Sequence, residues 1–531
     1  MGNASQIDDR KFNGKERIGK YMRWLKLEGP ENDKGVFTNI MTVVTYGYLI
    51  LPFLIFAVGW FRIRFWLPIV ICLLFCAWKC CKETPALWKP CLTQDHIIKI
   101  IFICMVLAVW VYYSGIGGKV FQNSDHSSRN AIFEILVQCR WPIYNTDINT
   151  ELYPEGTVTS LIYYIGFWMP AAVVGKIFGM QAGYDFQMVW AFFGLFLVYY
   201  FICERKNKII IWPLLLLVFF SGLDIAGVFM TGTNIFSIAN DVHMEWWAAP
   251  YQYSSMTTQL FWVFNQSVPA WLCTVFAMRQ ENNRSLVFIV ASVMFSATFP
   301  FVGLLVFVLF WAFTRQYEIC IDVSRMESVK EWMKVFIKDT ITIQNVLGGG
   351  ILGIFTYLYQ RGNTSATKIS SQGFLDILGS IEWTQYLIFM LLEVGIYFIV
   401  IYKYNKINGV YFVVVLSLIF IPLLKGSSVD FCMRVSIPAL FILMLLVQDT
   451  LEKAAEQKNW IILGSLTIVL CIGSMTPIHE MARTIWHTIE RKYYEVQLNE
   501  TLSQKEILNA GNFSGNVEGN LFFEHIAKKY E

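Results

Sequence analysis

The chain alternates long apolar runs with short polar, charge-bearing stretches. "TVVTYGYLILPFLIFAVGW" (42–60), "IFICMVLAVWVYY" (101–113) and "FVGLLVFVLFWAF" (301–313) are near span length and almost free of charge. About 20 apolar residues cross a bilayer core, so the pattern predicts an all-α, polytopic transmembrane helical bundle of about 11–14 spans. Spans read at 38–58, 65–78, 97–115, 157–177, 185–203, 209–221, 259–278, 285–298, 300–314, 345–359, 384–402, 409–424, 434–449 and 460–475. Their centres carry few charges.

Between the runs, the polar stretches predict three regions. Residues 1–36 form a basic head, which the excess of lysine and arginine in cytoplasmic loops puts inside. Residues 37–475 hold the spans, with a first outside loop at 116–156 and a second at 222–258; 476–531 form a small outside tail. In the first loop, Ile132, Phe133, Ile135 and Leu136 recur at helical spacing, as in a helix lying on the membrane surface. One conflict stands. "CERKNK" (203–208) belongs inside by charge, yet two apolar runs separate it from the outside loop near Asp125. Either 157–180, with Pro170 and its small residues, or its neighbour makes no net crossing, or one charge cluster breaks the rule.

Composition sharpens this picture only in part. Of 531 residues, 56% are hydrophobic and 15% charged, where a soluble domain has about a quarter charged. The net charge of +3 matters less than where the charges fall, and no nucleic-acid domain is visible. Several of the 12 cysteines, such as Cys72, Cys76 and Cys104, lie in apolar runs, where cysteine acts as a small hydrophobe. No cleavable signal peptide and no internal repeat is apparent; Asn3, Asn363, Asn499 and Asn512 head N-x-[ST] sequons.

Four constellations carry candidate chemistry. Asp125 and His126 in "FQNSDHSSRN" follow a span end, where a carboxylate can serve as general base or simply cap a helix. In "NDVHMEWWAAPYQYSS", Asp241, His243 and Glu245 alternate and suit a divalent metal or a wet loop. Trp246, Trp247, Tyr251 and Tyr253 beside them suit an interface anchor or a sugar face, and Asp224 closes a span just upstream. Lys425, Asp430 and Arg434 meet a span end, as a phosphate clamp or a structural pair. Asn265 and Gln266 sit with Pro269 in an apolar run, satisfying a kink or lining a polar cavity.

Together, "SDHSSRNAIFEILVQCRWPIYN", "YYIGFWMPAAVVGKIFG", "FSGLDIAG" with "HMEWWAAPYQYSSMTTQLFWVFNQSVPAW", and "DFCMRVSIPAL" resemble the GT-C superfamily of polytopic glycosyltransferases, in a bacterial-type form. The likeness covers most of 37–450 and is architectural. It implies an inverting transfer of a sugar from a polyprenyl-phosphate donor to a glycan, lipid or protein acceptor, outside the cytoplasm at the plasma membrane. It further implies Asp125, with His126, at the acceptor hydroxyl and Arg434, with Arg129, on the donor phosphate. Asp224, His243, Glu245, Gln266 and Asp430 would orient substrate. The Asp-His pair stands where some members carry two acids, which leaves a divalent metal open as cofactor.

Three rivals remain at this stage. A polysaccharide polymerase or ligase with a lipid-diphosphate donor would use Arg129, Arg140, Arg361 or Arg434. A lipid or solute transporter would need ionisable groups in mid-membrane. A scaffold in envelope assembly would need neither Asp125 nor Arg434.

Overall fold

The computed structural model describes residues 36–84, 88, 93–146, 153–232, 243–315, 326–364, 381–424, 429–494 and 501–529. The polar head up to residue 35, Asp241, Lys425 and the sequons at Asn3 and Asn499 lie outside the described residues.

The apolar runs fold as helices because only a helix satisfies its own backbone groups in lipid. In chain order these are α1 (Val36–Trp60), α2 (Ile63–Glu83), α3 (Gln94–Tyr113), α4 (Asp125–Gln138), α5 (Met169–Phe178), α6 (Met180–Glu204), α7 (Pro213–Phe219) and α8 (Asp224–Thr231). Then come α9 (Met256–Arg279), α10 (Leu286–Met294), α11 (Thr298–Thr314), α12 (Met326–Thr340), α13 (Gln344–Gln360) and α14 (Trp383–Asn405). The last are α15 (Gly409–Phe420), α16 (Val429–Val435), α17 (Ile437–Glu456), α18 (Trp460–Gly473), α19 (Met475–Tyr494) and α20 (Gln504–Asn509). Among the described residues, 8 helices are long and apolar enough to cross a bilayer, or 9 if α12 and α13, bent by 59°, count as one span. Three further apolar helices are shorter, which is why run-counting reaches a higher number of spans.

At the centre stands α9. Every residue of it except Trp262 is buried, so it is a protein-enclosed helix, not a lipid-facing one. It bends at Val263, whose φ of −134° and ψ of 35° leave the helical region.

The region read as a span at 157–177 is not one. Thr159–Leu161 form a strand, β2, between β1 (Tyr144–Asn145) and β3 (Ser514–Asn516) of the tail, all antiparallel. "IGFW" then turns inward and buries Trp168 against Phe264 of α9. The ten-residue α5 runs back to the first-loop face, where Lys176 Nζ donates to the carbonyls of Val137 and Cys139 at 3.0 and 2.5 Å. Gly175 and Gly183 let α5 and α6 touch: a Cβ on Gly183 would lie 3.0 Å from Gly175 Cα and 2.8 Å from Phe133. Residues 157–180 thus dip in and return, and α6 alone carries the chain across. The parity conflict is removed.

Ion pairs mark the far face, where α6, α9 and α17 end together. Arg279 Nε meets Glu204 at 2.6 Å, Lys206 meets Asp449 at 2.7 Å and Arg205 also reaches Asp449. The opposite, Asp125 face carries the first loop, the sheet and the tail. Here α4 corrects a second expectation. Its apolar stripe, Ile132, Phe133, Ile135 and Leu136, is buried by α5, α6 and α20, not laid on lipid.

Single cysteines at Lys119, Gln181 and Lys208, in a background lacking the exposed native thiols, check this topology. K119C and Q181C are expected to react with an impermeant thiol reagent from one side, K208C only from the other. Labelling of K119C and Q181C from opposite sides would mean that 157–180 crosses.

Candidate functional site

After α3, the chain turns through Gly115, Gly117 and Gly118, all with φ between +70° and +85°, a region open mainly to glycine. The turn brings "QNSDH" back onto α9. Asn123 Nδ2 and His126 Nε2 both donate to the Phe261 carbonyl, at 2.9 and 3.1 Å, while Gln122 Nε2 donates to His126 Nδ1 at 3.2 Å. Burial, aided by the nearby Arg129 charge, pushes the His126 pKa down to about 3. His126 is therefore a neutral ring held at both nitrogens, and it fixes the loop.

Asp125 opens α4, and its Oδ2 accepts from Arg129 Nη2 one turn later at 2.6 Å. The carboxylate is 38% exposed, the guanidinium 5%. Partial burial works to raise the Asp125 pKa, but Arg129 and then Arg434 outweigh it and hold the carboxyl below its usual range. Arg434 arrives from α16, some 300 residues later in the chain. Its Nη2 lies 2.9 Å from Asp430 Oδ1 and its Nη1 donates to the Tyr164 hydroxyl, which is also bonded to Tyr163. Three buried guanidinium nitrogens, Nε and Nη1 of Arg129 and Nε of Arg434, have no hydrogen-bond acceptor among the described residues. The result is an ionised, half-exposed carboxylate beside two guanidiniums with unused donors, suited to an oxyanion next to a proton acceptor.

Asp224, His243 and Glu245 meet in a second cluster. His243 lies between two carboxylates, Nδ1 2.8 Å from Glu480 Oε1 and Nε2 3.1 Å from Glu245 Oε2. Burial works against a charged ring, but Glu480 and then Glu245 outweigh it and lift the His243 pKa to about 10. Glu480 also accepts from Trp262 Nε1 and Arg483 Nη2 at 2.9 and 2.8 Å, and Glu245 from the Ser255 amide and Gln252 at 2.8 Å each. Asp224 takes Ser221, Thr476 and Trp247, and Glu393 of α14 lies buried nearby, neither of its oxygens hydrogen-bonded among the described residues. With both ring nitrogens facing carboxylates, His243 is a poor metal ligand, and among the described residues no group of three His, Cys, Asp or Glu is arranged to hold an ion.

The predicted residues thus fall into two neighbouring clusters joined by consecutive positions of α9. Phe261 and Phe264 touch the Asp125 cluster, Trp262 the acidic one. Gln266 belongs to neither. It and Asn265 are buried past the bend, and both Asn265 amide atoms and Gln266 Oε1 lack a partner among the described residues. Trp247, Tyr251 and Tyr253 are at least half-buried in the protein, leaving Trp246 as the exposed ring of that set. Four participants escaped the sequence reading: Tyr163, Tyr164, Glu393 and Glu480. Of these only Glu393 carried a signal, an acid inside an apolar run.

The chain matches no protein-family model, no curated protein and no solved structure.

The imidazolium gives a pH dependence with a defined sign. Its folded pKa of about 10 exceeds the unfolded value of about 6.5, so its stabilisation is complete below the latter and lost as pH rises through the former. His243→Gln is expected to cost about 3–5 kcal/mol at neutral pH, by leaving Glu480 and Glu245 without their cation. The melting-temperature gap between wild type and H243Q should then close toward pH ~10. A gap that stays constant from neutral to alkaline pH would sink the assignment.

Proposed function

We propose that this chain is a multi-pass membrane glycosyltransferase that moves a sugar from a polyprenyl-phosphate donor to an acceptor hydroxyl at the extracytoplasmic face of the plasma membrane. One observation carries the reading. Asp125, Arg129 and Arg434 converge where α3 leaves the bilayer, with guanidinium donors unused. A polyprenyl chain stays in lipid while its phosphate and sugar sit at headgroup level, the level of this cluster. Arg434, oriented by Asp430, and Arg129 bind the donor phosphate and offset the charge that grows as it leaves. Asp125 accepts the acceptor's proton through Oδ1, which has no hydrogen bond among the described residues. Asp224, His243 and Glu245 fix the neighbouring wall. Arg205 and Lys206 after α6, with Arg279 and Arg284 at and after the end of α9, support this side by lying on the opposite face.

The test uses purified full-length protein in nanodiscs with a panel of polyprenyl-phosphate hexoses, reading release of polyprenyl phosphate. Asp125→Asn should lower turnover by about 10²–10⁴-fold, the usual worth of a general base, while leaving donor binding intact. Arg434→Gln should weaken donor binding. Wild-type turnover in D125N overturns the reading.

A second reading, proton-coupled transport of a lipid or solute, has one observation in its favour. The spans are not charge-free, for Glu393 sits buried in a π-helical stretch of α14, neither of its oxygens hydrogen-bonded among the described residues. In proteoliposomes, Glu393→Gln would then abolish dissipation of a pH gradient by candidate solutes, with D125N inactive in no assay.

A further inference from the structure

The turn between α1 and α2 and the end of the tail enclose a separate cavity of about 770 Å³ on the Asp125 face. Its wall holds five cations, Arg62, Arg64, Arg140, Lys528 and Lys529, and, among the described residues, no carboxylate. The backbone builds it firmly. Arg62 donates through Nε to the Ala527 carbonyl and through Nη2 to that of Glu524, each at 2.7 Å. Lys528 Nζ reaches the carbonyls of Val58 and Gly59 at 3.0 and 2.8 Å, and its amide donates to the Trp60 carbonyl at 2.8 Å. These contacts all use neutral carbonyls, and among the described residues no carboxylate pairs with the group. Arg140 and Lys529 make no hydrogen bond or ion pair among the described residues.

Directly beside it runs a groove of about 350 Å³ lined by Leu54, Ile55, Val58, Gly59, Val70, Trp141 and Val173. Apart from the backbone its lining is hydrocarbon and indole. Trp141 belongs to both spaces, standing between the cations and the groove with its ring packed against Gly59. Since α1 and α2 are membrane-crossing helices, the groove opens where lipid chains lie and the cations where headgroups lie.

We propose that this is a binding site for an anionic phospholipid, its phosphate among Arg62, Arg64, Arg140, Lys528 and Lys529 and an acyl chain along the groove past Trp141. Three observations point the same way. The charge is of one sign, the apolar groove adjoins it, and the cations lie across the bilayer from Arg205, Lys206 and Arg284. Topology alone asks for positive charge on only one face, so the second basic group needs a local ligand. The site is distinct from the Asp125 cluster: the 14 residues of α4 separate them by about 20 Å at 1.5 Å per residue. A lipid bound here would tie the tail to the α1–α2 turn.

The experiment titrates detergent-purified full-length protein with fluorescent phosphatidylglycerol, with phosphatidylcholine and inorganic phosphate as competitors. Wild type should bind phosphatidylglycerol, be displaced by unlabelled phosphatidylglycerol, and resist both competitors. The double variant Arg140→Gln with Lys529→Gln, which removes no internal partner, should bind about thirtyfold more weakly, as two interfacial charges predict. A third variant, Val58→Asp, should weaken binding from the groove side. Competition by phosphatidylcholine at equal strength overturns the proposal, as does unchanged affinity in the double variant. Full displacement by millimolar inorganic phosphate assigns a free-anion site and overturns the lipid. Asp125→Asn is expected to bind phosphatidylglycerol as wild type does, whatever becomes of transfer.

Discussion

The bend in α9 is the constraint on which the Asp125 face depends. A helix buried on all sides has no water to satisfy a carbonyl released from the ladder, so every freed group needs a protein partner. Where Val263 departs from helical geometry, the Gln259 carbonyl takes the Ser267 hydroxyl at 3.0 Å, and the Phe261 carbonyl takes Asn123 and His126. The loop after α3 is thereby fastened to the middle of the bundle, and with it the start of α4. Asp125 and Arg129 owe their position to that fastening. A straight α9 would use the Phe261 carbonyl internally and leave the loop without its anchor.

The same helix sets the division of charge. On one side the neutral His126 ring stacks on Phe264 with the Arg129 guanidinium 5.8 Å from the same ring. On the other, His243 stacks on Trp262 as an imidazolium between two acids. Two histidines a few ångströms either side of one helix thus carry opposite charge states, decided by what faces them. Burial and the nearby Arg129 guanidinium keep His126 neutral; two carboxylates charge His243. In the acidic cluster the charged ring is engaged by two internal carboxylates, whereas the Asp125 cluster keeps guanidinium donors and a carboxylate oxygen in reserve. That contrast, more than the acids themselves, separates a structural network from a site where substrate chemistry can occur.

Much of this was open to reading from the chain. The apolar runs gave the bundle, and the charges at 203–208 pointed to a segment without a net crossing, which α5 is. Asp125–Arg129 and Asp430–Arg434 are each four apart, a spacing that pairs them as soon as the segments are helical. What stayed hidden has two causes. "YYIGFW" is apolar because protein surrounds it, and composition cannot tell a protein interior from lipid; hence Tyr163 and Tyr164 were lost inside a supposed span. Glu480 meets His243 from 237 residues away, and no local pattern announces such a contact. Glu393 is different in kind, since an acid within an apolar run is legible wherever it occurs.

The unused donors bear on what the face is for. An unpaired buried hydrogen-bond donor costs about 1–3 kcal/mol, and more on a charged group. Arg129 and Arg434 leave three such nitrogens without acceptors among the described residues, although each already pairs with one carboxylate, Asp125 and Asp430. Truncating either arginine to an apolar residue would relieve that cost while forfeiting only a partly exposed ion pair. The chain instead carries two buried guanidiniums on this face, braced by Asp430, Tyr164 and the Phe264 and Phe299 rings. Bracing of this kind is expensive to build for a surface pair and consistent with the phosphate-binding role proposed above, for which donors of fixed orientation would give full hydrogen bonding without reordering.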